Sequence, residues 1–146
     1  MLLSKEIAVK LNLAACKLKQ FSASALRQSG INLTPEQFLL IDLLWNQGAM
    51  SQQVLADEMQ KDKNSVTKLV DALETKGYVL RKKDENDRRS NLLVLTPKAE
   101  EMKEVAKEKG ISVLDRILAG ISEGELKSFI STLDKLDKKM KSSCDA

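Results

Sequence analysis

The sequence predicts a mainly α-helical chain carrying one small β-hairpin, and three observations lead there. Apolar residues recur at three- and four-residue spacing over most of the chain, which is the period of an amphipathic helix. Helix starts are marked at Thr34-Pro35, Ser51, Asp62, Thr96-Pro97 and Ser122, and helix stops at Gly30, Gly48 and Gly77. Two strand-like runs, Tyr78 to Lys83 and Asn91 to Leu95, flank a tip (Asp84 to Ser90) too polar to be buried.

In chain order, Ser4 to about Ser29 reads as a long first helix. Ile7, Leu11, Ala14, Leu18, Phe21 and Ala25 make a narrow seam that Leu3, Leu13 and Leu26 widen. That stripe either packs on the chain's own core or meets a second subunit. Thr34 at N-cap, Pro35 at N1 and Gln37 at N3 form a capping box for the next helix. Phe38, Leu39, Ile41, Leu43, Leu44 and Trp45 leave that helix apolar around much of its girth, as a central helix would be. Ala49-Met50 follows as a short strand. Ser51 then caps a short helix, Gln52 to Met59, with Val54, Leu55 and Met59 inward.

The next helix starts about three residues later. Asp62 caps it, Val66, Leu69, Val70 and Leu73 share one apolar face, and Asn64, Thr67, Lys68 and Asp71 lie on the other. Gly77 stands where a left-handed residue is wanted. Two short helices joined by a tight turn make a helix-turn-helix, although spacing alone fits an αα-hairpin without ligand equally well. With the hairpin as a wing, the stretch offers two probes to a duplex: a helix for the major groove and a hairpin tip for the backbone or minor groove.

Pro97 opens a second long helix, charged in its first half and apolar in its second (Ile111, Val113, Leu114, Ile117, Leu118), with Gly110 marking a bend. Ser122 to Glu125 is a further capping box, followed by Leu126, Phe129, Ile130, Leu133, Leu136 and Met140 on one face. The tail from Lys141 reads as frayed. The fold expected is a winged helix-turn-helix domain plus N- and C-terminal dimerisation helices. Its segments are an N-terminal dimerisation helix (1–30), a winged helix-turn-helix domain (31–96) and C-terminal dimerisation helices (97–146), forming one compact unit overall. Exposed stripes this large argue for a two-fold homodimer.

Composition removes several function classes. The chain has 146 residues, 42% hydrophobic and 31% charged, which suits one helix-rich soluble domain. Aromatics at 3% leave no base-stacking platform for a single strand. Histidine, the commonest general base and metal ligand, is absent. No nucleophile–base pair, phosphate loop or metal spacing occurs, so the expectation is no enzyme, no catalytic residue, no metal and no cofactor. Net charge is only +3, so a basic surface needs local clustering, which Arg81, Lys82, Lys83, Arg88 and Arg89 supply. Cys16 and Cys144 belong to no pairing motif, and the first ten residues carry no signal-peptide core. Both point to the cytoplasm, with no membrane partner.

The residues Ser65 to Glu74, then Lys76-Gly77-Tyr78-Val79, then Asp87-Arg88-Arg89, then Leu95-Thr96, resemble the MarR family of bacterial winged-helix transcription regulators. The glycine usual shortly after Leu-Thr is Ala99 here, inside a helix. Lys63, Asn64, Ser65, Thr67 and Lys68 are the expected major-groove set, clustered in the first turns of the polar face. Ser51 and Gln52, at another helix start, suit a phosphate. The resemblance assigns Arg89 to the minor groove with Asp87 orienting it, a pairing a carboxylate and a guanidinium fork can make bidentately. Arg88 and Lys83 would then meet phosphates.

The same resemblance implies a small aromatic or anionic effector. Phe21, Phe38 and Trp45 are the candidate lining residues, each also readable as plain core. Cys16 reads as a small buried hydrophobe rather than a peroxide sensor, because the only tyrosine, Tyr78, lies beside the wing. The expected function is a sequence-specific double-stranded DNA-binding regulator, a repressor acting as a homodimer on a pseudo-palindromic operator. The competing reading is a winged-helix module that binds protein, which the Lys63–Lys68 and Arg88-Arg89 clusters disfavour.

Overall fold

The computed structural model describes residues 2–87 and 89–144, the side chains of 110–113 and 144 excepted. Its elements are α1 (Leu2–Gln28), α2 (Pro35–Gln47), β1 (Met50–Ser51), α3 (Gln52–Met59), α4 (Lys63–Thr75), β2 (Val79–Lys83), β3 (Asn91–Leu95), α5 (Pro97–Leu118) and α6 (Glu123–Cys144). The three strands form an antiparallel sheet in the order β1-β3-β2. Met50 pairs with Leu93 on one side of β3, and Arg81 pairs with the same residue on the other.

The local signals work by the physics that suggests them. Thr34 Oγ1 accepts from Gln37 N at 3.2 Å while Thr34 N donates to Gln37 Oε1 at 3.1 Å, a closed capping box. Asp62 caps α4 through Ser65 N at 2.7 Å. At the other end of α4, Gly77 sits at φ +84°. There Tyr78 N donates to Leu73 O (2.9 Å) and Gly77 N to Glu74 O (3.0 Å), the two bonds of a Schellman stop.

The packing divides the chain into two compact units, residues 1–110 and 111–146, rather than the single one expected. The break falls inside α5, where Ala106 is the last core residue among the described residues. In the first unit, Leu40, Ile41, Leu55, Val66, Val70, Leu73, Val79 and Leu93 are wholly buried. Thus α2, α3, α4, β2 and β3 share one core.

Three local expectations need correction. Val54 is exposed, because Leu55 and Ala56 supply the inward face of so short a helix. α6 continues to Cys144 instead of fraying at Lys141, with Lys141 paired to Asp137 one turn back. Cys16 is exposed rather than buried, since every described residue of α1 up to Gln20 faces solvent. Gly110 lies within a continuous helix; its side of the helix and those of Ile111 and Val113 lie outside the described residues.

The second unit contributes α6 and the end of α5. Ser122 Oγ accepts from Glu125 N at 3.2 Å, and its hydroxyl meets Glu125 Oε1 at 3.2 Å. Leu118, Ile121, Leu126 and Phe129 line an open apolar groove between these two helices. Ile130 and Phe129 stay more than half exposed, at 59% and 56%. Among the described residues no helix is long and apolar enough to cross a membrane.

Candidate nucleic-acid interface

The exposed end of α4 and the hairpin carry the candidate contacts. Lys63, Asn64 and Lys68 are exposed and hold no side-chain hydrogen bond or ion pair among the described residues, while Ser65 is half-buried with its N–H on Asp62. Those first three therefore have donors to spend on something outside the chain. The Asp62 carboxyl is held below its ordinary value, chiefly by the hydrogen bond from the Ser65 N–H.

Thr67 and Gln52 behave differently from the free set. Gln52 Nε2 donates to Thr67 Oγ1 at 2.5 Å, and Thr67 Oγ1 donates to Lys63 O at 2.9 Å. Both are half-buried, and the pair joins α3 to α4 across the turn. Ser51 Oγ accepts from Val54 N at 3.1 Å as the cap of α3, which leaves its O–H to donate.

In the wing, the Asp87 carboxylate accepts from the main-chain N–H of Arg89 at 3.0 Å. Asp84 does the same for Asn86 at 3.0 Å, and Ser90 N closes on Asp87 O at 3.1 Å. The expected Asp87–guanidinium fork is thus replaced by an Asx turn, in which a short carboxylate reaches its own backbone two residues on. Asp87 orders the peptide that carries Arg89 and leaves the guanidinium exposed. Lys83 is exposed at the end of β2; Arg88 lies outside the described residues.

Arg81 leaves the basic cluster. It pairs with Glu74 and, at 2.7 Å, with Asp71, both on α4, with its own side chain 24% exposed. Its charge is therefore consumed in holding β2 to α4. The sequence signal for this was the Asp71/Glu74 pair, which at i, i+3 presents two carboxylates on one side of a helix. Lys98 is similarly used, donating to Lys76 O at 2.7 Å with its ammonium 4.5 Å from the Tyr78 ring centre.

A second polar site went unpredicted. Glu36, in the first turn of α2, accepts from Lys61 at 2.9 Å and pairs with Lys19 of α1 at 3.4 Å. The Lys61 hydrogen bond, ahead of opposing desolvation, holds the Glu36 carboxyl below its ordinary 4.5. A depressed carboxyl stabilises the fold above its unfolded value and loses that contribution as pH falls through its lower folded value. Glu36→Gln should therefore unfold slightly below wild type at pH 7, with the gap closing below about pH 4.5. The effect is small because the carboxylate is 37% exposed. Thermal midpoints of both proteins from pH 7 to 3 check this; a gap constant with pH would remove the ion pair as its cause.

Phe21, Phe38 and Trp45 are all half-buried. Phe38 and Trp45 pack edge to face, 5.7 Å between centres, against the core. The Trp45 indole N–H is buried without a hydrogen-bond partner among the described residues.

Residues 33–90, which run from just before α2 through the helix-turn-helix and β2 to the tip of the hairpin, match the MarR family model. The HTH-type transcriptional regulator BilQ of Clostridium symbiosum is 30% identical over 118 residues, covering 81% of each chain. The chain belongs to the MarR family. Another relative, the organic hydroperoxide resistance transcriptional regulator of Bacillus subtilis, is 30% identical over 70% of this chain and 71% of its own. The fold matches that of a MarR mutant from E. coli, solved in complex with operator DNA, with a TM-score of 0.82 over 90% of this chain and 93% of that one, at 19% identity. As a MarR-family member the chain is a winged-helix transcriptional regulator and not an enzyme.

Proposed function

We propose that the chain is a homodimeric repressor that binds a pseudo-palindromic operator in double-stranded DNA. One observation carries the DNA reading: Lys63, Asn64 and Lys68 on α4 and Lys83 and Arg89 on the wing are exposed with free donors, although the neighbouring Arg81 is neutralised. A module evolved only to bind protein has no need to keep that set unpaired on both probes. Asn64 suits adenine, Lys68 suits guanine, and Ser65 suits a base or a phosphate, while Thr67, whose hydroxyl proton goes to Lys63 O, keeps only an acceptor for a base donor. Ser51, Gln52, Lys83 and Arg88 are assigned to the backbone, and Arg89 to the minor groove.

Residues 1–30 and 97–146 are assigned to dimerisation. Each unit exposes apolar side chains, among them Leu3, Ile7 and Leu18 in the first and Leu114, Phe129 and Ile130 in the second, of a kind that a soluble monomer rarely leaves uncovered in number. A two-fold dimer spaces two recognition helices for half-sites about 10 base pairs apart.

Selection from random oligonucleotides, followed by affinity over a salt series, tests this. The expected result is an enriched pseudo-palindrome whose binding falls steeply with salt through counterion release. Arg89→Ala should weaken binding to that site by about 1–3 kcal/mol, roughly five- to 150-fold. No enriched site overturns the operator reading, and unchanged Arg89→Ala affinity overturns the minor-groove role.

Relief by a small aromatic or anionic effector is supported by the orphaned Trp45 N–H, a buried donor that a carboxylate would satisfy. Because the chain holds one tryptophan, titration with benzoate reads the site directly through indole emission. A shift in emission with a parallel loss of operator affinity supports the effector; neither change removes Trp45 from that role.

A further inference from the structure

The recognition helix is gripped just outside both of its ends by two consecutive side chains of α2. Lys61 lies one residue before the Asp62 cap, and its ammonium donates to Glu36 Oε1 at 2.9 Å. Lys76 is the C-cap of α4, and its ammonium donates to Gln37 Oε1 at 3.0 Å and to Asn32 O at 2.9 Å. Gln37 is itself fixed, 8% exposed and locked to Thr34 by the capping box. The Glu36 carboxylate also reaches back to Lys19 on α1 at 3.4 Å.

The apolar face of α4 does not supply what this arrangement does. Val66, Val70 and Leu73 resist lifting the helix off the core, yet contacts between aliphatic side chains are non-directional and tolerate a roll or slide. Charge-assisted hydrogen bonds are directional and set such a rotation. A helix of 13 residues is about 20 Å long, so a small tilt about one end moves Asn64 or Lys68 by a large fraction of a hydrogen bond.

We infer that Glu36 and Gln37 form a two-point bracket that fixes the tilt of α4, and that Glu36 is a positioning residue for operator recognition that touches no DNA itself. The inference rests on the DNA-binding reading above. It assigns Lys61 to the bracket and not to a phosphate. Lys19 then ties the bracket to α1, so a shift of α1 is felt at the end of the recognition helix.

The test uses the full chain as wild type, Glu36→Gln, Lys61→Met, and the exchange Glu36→Lys with Lys61→Glu. Three quantities are read: affinity for the selected operator over a salt series, thermal midpoint, and amide hydrogen exchange in residues 63–75. Glu36→Gln is expected to lower affinity about tenfold, the scale of coupling within one ion-pair network, with the salt slope unchanged. The exchanged pair should recover most of that loss. Equal affinity for Glu36→Gln, with only a lower thermal midpoint, makes the pair merely structural and overturns the inference. So does a Lys61→Met salt slope reduced by about one unit without recovery in the exchanged pair, which would make Lys61 a phosphate contact. If the wild type binds no DNA, the function reading has failed separately, and hydrogen exchange decides the bracket alone. Faster exchange across α4 in Glu36→Gln then upholds it, and unchanged exchange overturns it.

Discussion

Ile130→Glu is expected to convert the proposed dimer into a monomer and to lower operator affinity by roughly a hundredfold or more. Ile130 is 59% exposed in the single chain, so a carboxylate there costs the isolated fold little. It sits on one face of α6 with Phe129, Leu133 and Met140, all exposed. If that face packs against a second copy, two carboxylates are buried near the two-fold axis without partners, and each carries a desolvation cost of several kcal/mol. A monomer then reads one half-site and forfeits the other recognition helix and wing, each contact worth about 1–3 kcal/mol. Sedimentation velocity at micromolar concentration, with affinity for the selected operator, measures both effects. A variant that stays dimeric and binds as before would place the interface elsewhere.

Local chemistry made most of this fold legible. Thr34, Asp62, Gly77 and Pro97 each act within a few residues of themselves, so their signals survive without knowledge of the rest of the chain. The apolar face of α4 was readable for the same reason, since Val66, Val70 and Leu73 need only the helical period to be aligned. What could not be read depended on which distant residues meet. Arg81 looked like one more cation in a basic run, and only the docking of β2 beside α4 gives it Asp71 and Glu74. Nothing local marks a partner for Lys61 or Lys76, and the first turn of α2, 25 and 39 residues away, takes them up. The Asp87 carboxylate, on so short a stem, reaches the Arg89 backbone N–H before the guanidinium. The free set at the interface thus emerges by subtraction: Lys63, Asn64, Lys68, Lys83 and Arg89 are among the groups that remain, with Lys82, once tertiary pairing has taken up Arg81, Lys61, Lys76 and Lys98. A sequence lists every cation alike, and only the fold separates those it consumes from those it leaves to a partner.

The other large effect is expected in the core. Leu73→Ala should destabilise the chain by about 2–5 kcal/mol, through lost apolar burial and the cavity left behind. Leu73 is wholly buried on the inner face of α4, and its carbonyl accepts from Tyr78 N at 2.9 Å in the Schellman stop. The side chain therefore packs where the recognition helix turns into the wing, with Tyr78 against the same core. Removing it cannot be repaired by a small collapse, because α4 is tied at Lys76 and β2 at Arg81, and neither end is free to move inward. Stability of a domain this size is about 5–15 kcal/mol in total, so the loss is a large share of it. Leu80→Ala is the matched control: the same change, two strand positions before Lys82 on the same hairpin, at a side chain 49% exposed, expected to cost about 1 kcal/mol or less. Both are measured by urea unfolding at one fixed protein concentration, since dimerisation couples to folding. If Leu73→Ala costs no more than Leu80→Ala, the junction between α4 and the wing is looser than its geometry implies, and the two DNA probes do not move as one body.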